Sequence, residues 1–170
     1  MTHDMLAKNP KRGIALLVTM IFMSVMLAFG LTLAALAYKQ SVLASAAAQS
    51  QYAFYAADAA LECALYADQK QQAFLYDTHN ASNAPDPDIV ADNCNGSYVA
   101  PYSYSYNATQ LVFSERISFD SGGIERCADV TVYKTADDRT YLYAEGYNVA
   151  CTAVTANNTR VVVRGLDAKY

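Results

Sequence analysis

The chain has 170 residues, 54% of them hydrophobic, four cysteines and a formal net charge of −4. That length holds one modest domain plus a hydrophobic segment. Charge is unevenly divided, with Asp4 against Lys8, Lys11 and Arg12 in residues 1–13 and a net acidic chain thereafter. Nucleic-acid binding, which needs a basic face, therefore finds no support.

Residues 1–13, MTHDMLAKNPKRG, are polar and too short to fold, and read as a leader or cytoplasmic stub. Residues 14–37 follow as twenty-four positions without a charge, IALLVTMIFMSVMLAFGLTLAALA. At about 1.5 Å per residue, a helix of this length crosses a bilayer core of roughly 30 Å. Lipid offers no partner to open backbone groups, so only a helix can cross there. Its twelve Leu, Ile, Val and Phe residues contribute at most roughly −4 to −7 kcal/mol to insertion. Basic residues on the leading flank, against Lys39 alone before Lys70 on the other, place the N-terminus in the cytoplasm and the remainder outside.

Residues 38–72 contain neither Gly nor Pro and are rich in Ala, Gln and Leu, which continues the helix. An uninterrupted helix from Ile14 to about Lys70 would be on the order of 85 Å long. Phe54, Ala57, Leu61, Ala64 and Leu65 recur at three- and four-residue steps as one apolar face. The alanines at 46–48, 56, 57, 59 and 60 either form a narrow waist for close packing or are there as good helix formers.

Residues 73–109 are crowded with Asp, Asn, Ser and Pro and read as a variable loop region, with Tyr102, Tyr104 and Tyr106 alternating in one short strand. Residues 110–170 read as a sheet domain. Leu111 to Phe119 puts Leu111, Phe113, Ile117 and Phe119 on one side, and Glu125 to Lys134 does the same with Ala128, Val130 and Val132. Thr140 to Asn148 alternates Leu142 and Ala144 with Tyr141, Tyr143 and Glu145, and Thr159 to Leu166 is the last strand. Short turns at 120–123 and 136–138 imply an antiparallel meander. Its apolar face is expected to be covered by the helix stripe through Phe54, Leu61 and Leu65.

Cys63, Cys94, Cys127 and Cys151 all follow the membrane segment, in no CxxC spacing and with no His beside them, so zinc is not expected. An even count in an exported domain implies two disulfides. Three pairings are open; Cys63–Cys94 and Cys127–Cys151 are favoured because each closes a local segment. Catalytic motifs are absent, and His3 and His79 read as solvated. No enzyme activity, cofactor or metal is expected. Asp86, Asp88 and Asp92 depart from a calcium loop in spacing and lack its terminal Glu. Asn80, Asn95, Asn107 and Asn157 begin Asn-x-Ser/Thr sequences, read as coincidence in so Asn- and Ser-rich a chain.

A basic leader ending in Lys11-Arg12-Gly13, a membrane helix opening Ile14-Ala15-Leu16-Leu17 and an α+β head together resemble the type IV pilin and pseudopilin family. Gln51 to Glu62, QYAFYAADAALE, looks like the AFYAAEAGLE segment of the PilX-like minor pilins. Glu62-Cys63-Ala64-Leu65-Tyr66 and the final Arg160 to Leu166 are similar to minor pilins with paired cysteines. The resemblance implies a long N-terminal helix, half membrane and half amphipathic, packed on a four-stranded antiparallel sheet. It implies cleavage of Gly13–Ile14 by a prepilin peptidase and N-methylation of Ile14. The implied partners are other pilins through the helix, the peptidase and an inner-membrane assembly platform, in a filament that leaves the cytoplasmic membrane. The fifth residue of the mature chain, a Glu in most major pilins, is Val18 here. That removes a costly buried charge and the intersubunit ion pair it serves, and fits a place at the filament tip or in initiation.

The competing reading is a plain membrane anchor, or an exported binding domain released after Ala35-Leu36-Ala37 so that it begins at Tyr38. An apolar run beyond twenty residues argues against a signal peptide, whose core is about 7–15.

Overall fold

The computed structural model describes residues 11–74, 89–94, 96–106, 109–137, 139–155 and 161–170. The chain divides into two compact units, Met1–Ser45 and Ala46–Tyr170. Helix α1, Lys11–Gln71, contributes to both.

In the first unit the large apolar side chains face outward, among them Ile14, Phe22, Phe29 and Leu33. Thr19, Ser24 and Thr32 donate their hydroxyl hydrogens to the carbonyls of Leu16, Ile21 and Phe29, three residues back. The polar atoms of this stretch are thus satisfied within the helix, as an apolar solvent demands. Among the described residues this is the one helix long and apolar enough to cross a membrane.

The second unit is α+β. The remainder of α1 is followed by a short helix α2 (Ile89–Asn93) and strands β1 (Ser97–Tyr106), β2 (Gln110–Ser121), β3 (Ile124–Thr135) and β4 (Thr140–Tyr147). A short helix α3 (Cys151–Thr155) then leads to β5 (Val163–Lys169). The strands form one antiparallel sheet in the order β1-β2-β3-β4-β5. Gly122 and Gly123 both take positive φ in the two-residue turn between β2 and β3, the conformation that a tight hairpin requires. At the end of α1, Gln72 turns left-handed at φ 52° and the Ala73 N–H returns to the Ala67 carbonyl.

The sheet has five strands where four were expected. The additional one, β1, lies within the stretch read as a loop, residues 73–109, which also contains α2. Its Tyr98, Tyr104 and Tyr106 pair with Ile117, Phe113 and Leu111 of β2 and pack against the core. Pro101 falls in the register irregularity between Val99 and Ser103, on a strand bonded to β2 alone. An edge strand with a bulge is where a sheet accepts proline, and β1 runs back past it to Ser97, longer than the short strand read from Tyr102, Tyr104 and Tyr106. The last strand begins at Val163 rather than at residue 159, because its register is set by Tyr147 opposite Val163 and by Tyr170 bonding Thr140 through both backbone groups.

One face of the sheet is buried, through Leu111, Phe113, Ile117, Ala128, Val130, Val132, Leu142 and Ala144. Phe74, just past α1, fills the same core with its ring 4.7 Å from that of Phe113.

Candidate functional site

The helix of membrane-spanning length, the packing of its trailing part and the brace of the sheet each have their residues. Gly13 and Ile14, the expected cleavage pair, lie inside α1, which already includes Lys11. Ile14 is 67% exposed and opens the apolar run.

The packing stripe keeps Ala57 and Ala64 of the expected face but is centred on alanines rather than on its large residues. Phe54 is 43% exposed, and Leu61 and Leu65 only border the core. The buried apolar positions of α1 are Ala53, Ala57, Ala60, Ala64 and Ala67, at alternating steps of four and three, with Ala56 beside them. The reason is on the sheet. A Cβ on Gly146 of β4 would collide with the Ala53 carbonyl oxygen and the Ala57 nitrogen, and would lie 3.0 Å from the Ala56 carbonyl carbon. Helix backbone rests directly on strand backbone, and only alanine opposite glycine permits that distance. A phenylalanine has no room on that face and turns outward.

Polar ties reinforce the contact. The Asn148 side-chain amide donates to Gln49 Oε1 at 2.8 Å, and Arg164 Nε donates to Ser50 Oγ at 2.7 Å. Further along α1, Asp68 is buried with Lys134 Nζ 2.7 Å from one carboxylate oxygen and the Tyr170 hydroxyl donating to the other. Burial, and then the hydrogen bond to Asp68, push the Tyr170 phenol well above its ordinary value. On β2, Glu115 lies among core residues at 2% exposure and accepts the backbone N–H groups of Val90 and Ala91 at 3.3 and 3.1 Å. It thereby seats α2 on the sheet. Nothing in the alternation of β2 marked this Glu as inward-facing except its odd position between Phe113 and Ile117.

Cys63 is bonded to Cys94, and Cys127 to Cys151. The first ties α1 to the end of α2. The second lies on the other face of the sheet and joins β3 to α3, with Tyr147, Val99, Val154 and Val161 around it.

That outer face is otherwise polar. Arg116 grips Asp129 with two hydrogen bonds, 2.6 Å from Nε and 2.7 Å from an Nη, and the bond holds its guanidinium proton still more firmly than usual. The Tyr147 hydroxyl donates to Asp129 at 2.9 Å, and that of Tyr143 to Glu145 at 2.9 Å. Burial first, then Asp129, raise the Tyr147 phenol; the bond to Glu145 raises that of Tyr143.

Among the described residues no three His, Cys, Asp or Glu side chains gather as a metal site. Asp92 is in α2, whereas Asp86, Asp88, both histidines and the four Asn-x-Ser/Thr asparagines fall outside the described residues. No family model, curated protein or solved structure matches the chain.

Proposed function

We propose that this chain is a structural subunit of a type IV pilus or a related secretion or competence filament, of the minor pilin or pseudopilin kind. The observation that carries this reading is the change of character along α1. Its leading part presents large apolar side chains to the surroundings, and its trailing part is a buried alanine stripe on a disulfide-bonded sheet. A helix of the first kind needs an apolar environment, and it has two available: lipid, or other helices like itself. Lipid tails are as apolar as leucine, so moving from lipid to a helix bundle turns on van der Waals packing rather than on a hydrophobic gain. A protein that assembles by this exchange performs no bond chemistry, and Val18 leaves the apolar surface uncharged for it.

In this scheme the N-terminus faces the cytoplasm, a prepilin peptidase cuts Gly13–Ile14, the new N-terminus at Ile14 is methylated, and the sheet domain is carried outside by an inner-membrane assembly platform. The absence of the mature Glu favours a tip or initiating position over the shaft. The test is the intact mass of the protein from membranes and from sheared filaments of the cell that makes it. A chain beginning at Ile14 with one added methyl group is expected, and Gly13→Leu should leave the leader in place. A chain beginning at Tyr38, or normal maturation of Gly13→Leu, overturns the proposal.

A further inference from the structure

The outer face of the sheet carries a cleft to which α1 contributes no lining residue. Its floor is low because the register sets Ser103, Ser114 and Thr131 side by side on β1, β2 and β3, with the hydroxyls of Ser114 and Thr131 2.8 Å apart. Arg116, Asp129 and Glu145 rise on one side and Tyr133 on the other, while Tyr143, opposite Thr131, closes the β4 end of the floor row. The cleft is open to solvent and holds about 370 Å³, within the roughly 300–1,000 Å³ range of small-molecule sites.

The walls are rigid before any ligand arrives. Arg116 and Asp129 hold each other in the two-point geometry given above, and Glu145 accepts the Tyr143 hydroxyl. The Tyr143 ring lies over Gly165 of β5, where an added Cβ would come within 2.8 Å of the phenolic oxygen and 3.3 Å of the ring. Glycine at that position makes room for the ring, and Glu145 fixes its tip. A platform ordered in advance lowers the cost of binding.

Charge and hydrogen-bonding capacity select the ligand. Arg116 and Asp129 offset one another and Glu145 leaves a single negative charge, so anions are disfavoured. The guanidinium has five N–H donors and spends two on Asp129. The carboxylates keep lone pairs beyond those their partners use, and the hydroxyls of Ser114 and Thr131, whose hydrogens go to the Val130 carbonyl and to each other, still accept. A cation would answer only the acceptors, and a hydrocarbon neither. A ring of hydroxyls with an apolar C–H face answers all of them and the tyrosines as well. We propose that this cleft binds a neutral saccharide, with its hydroxyls on Arg116, Asp129, Glu145 and Thr131 and its C–H face on Tyr133 and Tyr143. The inference rests on the second unit alone and is independent of leader processing.

The test is saturation-transfer NMR on the full chain in phosphatidylcholine nanodiscs, which bring no sugar of their own. The probes are the methyl glycosides of glucose, galactose, mannose and N-acetylglucosamine, with methyl glucuronide as a charged match to the glucoside. At least one neutral glycoside is expected to bind near 1 mM, to weaken about tenfold in Tyr133→Ala and to be unaffected by Tyr66→Ala on α1, outside the cleft. Tyr143→Phe, which keeps the ring but unties it from Glu145, should weaken binding less than Tyr133→Ala. The proposal fails if no neutral glycoside transfers saturation at about 10 mM, well above that affinity. It also fails if Tyr133→Ala binds undiminished, or if the glucuronide binds as well as the glucoside.

Discussion

Gly146→Ala is the sharpest test of how the head holds its helix. The new methyl group would meet backbone at three points, the Ala53 oxygen, the Ala57 nitrogen and the Ala56 carbon. Carbon and its neighbours rest about 3.5–4.0 Å apart, so helix and strand would have to separate by about 1 Å or more at this point. A gap of about 0.5–1 Å already forfeits a quarter to a half of each contact, and the contacts at stake run along the alanine stripe from Ala53 to Ala67. Overpacking in a core costs about 1–3 kcal/mol. With only backbone to yield, we expect about 3 kcal/mol, the upper end of that range. The assay is urea denaturation of the full chain in micelles, followed by near-ultraviolet circular dichroism of its tyrosines. Gly30→Ala is the control, because an added Cβ there meets nothing within 4 Å, and it should be neutral or slightly stabilising. Ala57→Gly should not rescue Gly146→Ala, since the collision is with backbone. A Gly146→Ala protein within about 0.5 kcal/mol of the parent, the ordinary range of surface substitutions, or one restored by Ala57→Gly, would refute the close-approach argument.

Asp68→Asn should cost about 3 kcal/mol in the same assay, because it leaves Lys134, only 16% exposed, without its counter-charge. Tyr170→Phe, which removes one charge-assisted hydrogen bond from Asp68, should cost about 2 kcal/mol; a larger loss than for Asp68→Asn would contradict the assignment. Replacing Cys63 and Cys94 by Ser opens a loop of sequence separation 31 and should cost about 3–4 kcal/mol, with α2 gaining hydrogen exchange before the strands do. The phenols of Tyr147 and Tyr170 are raised in the folded protein, burial acting first and Asp129 or Asp68 next. Unfolded tyrosine ionises near pH 10, so above that pH unfolding releases protons and stability falls as pH rises toward the folded values. Urea midpoints between about pH 9 and pH 11.5 should show this decline, and the Tyr147→Phe, Tyr170→Phe double variant should flatten it; a flat parent profile would contradict it.

What could be read without coordinates is what depends on neighbours in the chain. The uncharged run from Ile14 to Ala37 is long and apolar enough to cross a membrane, and length and composition alone say so. The alternation of Ala128, Val130 and Val132 and of Leu142 and Ala144, with glycines at the hairpin, marks strands and their inward faces because a strand has a strict period of two. The helix face is harder. Phe54, Leu61 and Leu65 are the conspicuous apolar side chains of residues 46–71, and size made them the expected contact. In the fold, contact is decided by what stands opposite, and Gly146 is 89 residues beyond Ala57 in the chain. The 53, 57, 60, 64, 67 spacing of the alanines was visible, yet its meaning depended on that glycine.

The same division separates the remaining features. Local pattern determined that there would be a membrane-length helix, an antiparallel sheet and paired cysteines. Tertiary structure alone decided that β1 joins the sheet at its edge and that Glu115 finds the backbone of α2 opposite it. It alone assembled Arg116, Asp129, Glu145, Tyr133 and Tyr143, drawn from three strands, around one cleft. Hydrophobic periodicity records which way a side chain points, whereas its partner is set by register and packing between segments distant in the chain, and a single sequence does not write these in any local pattern.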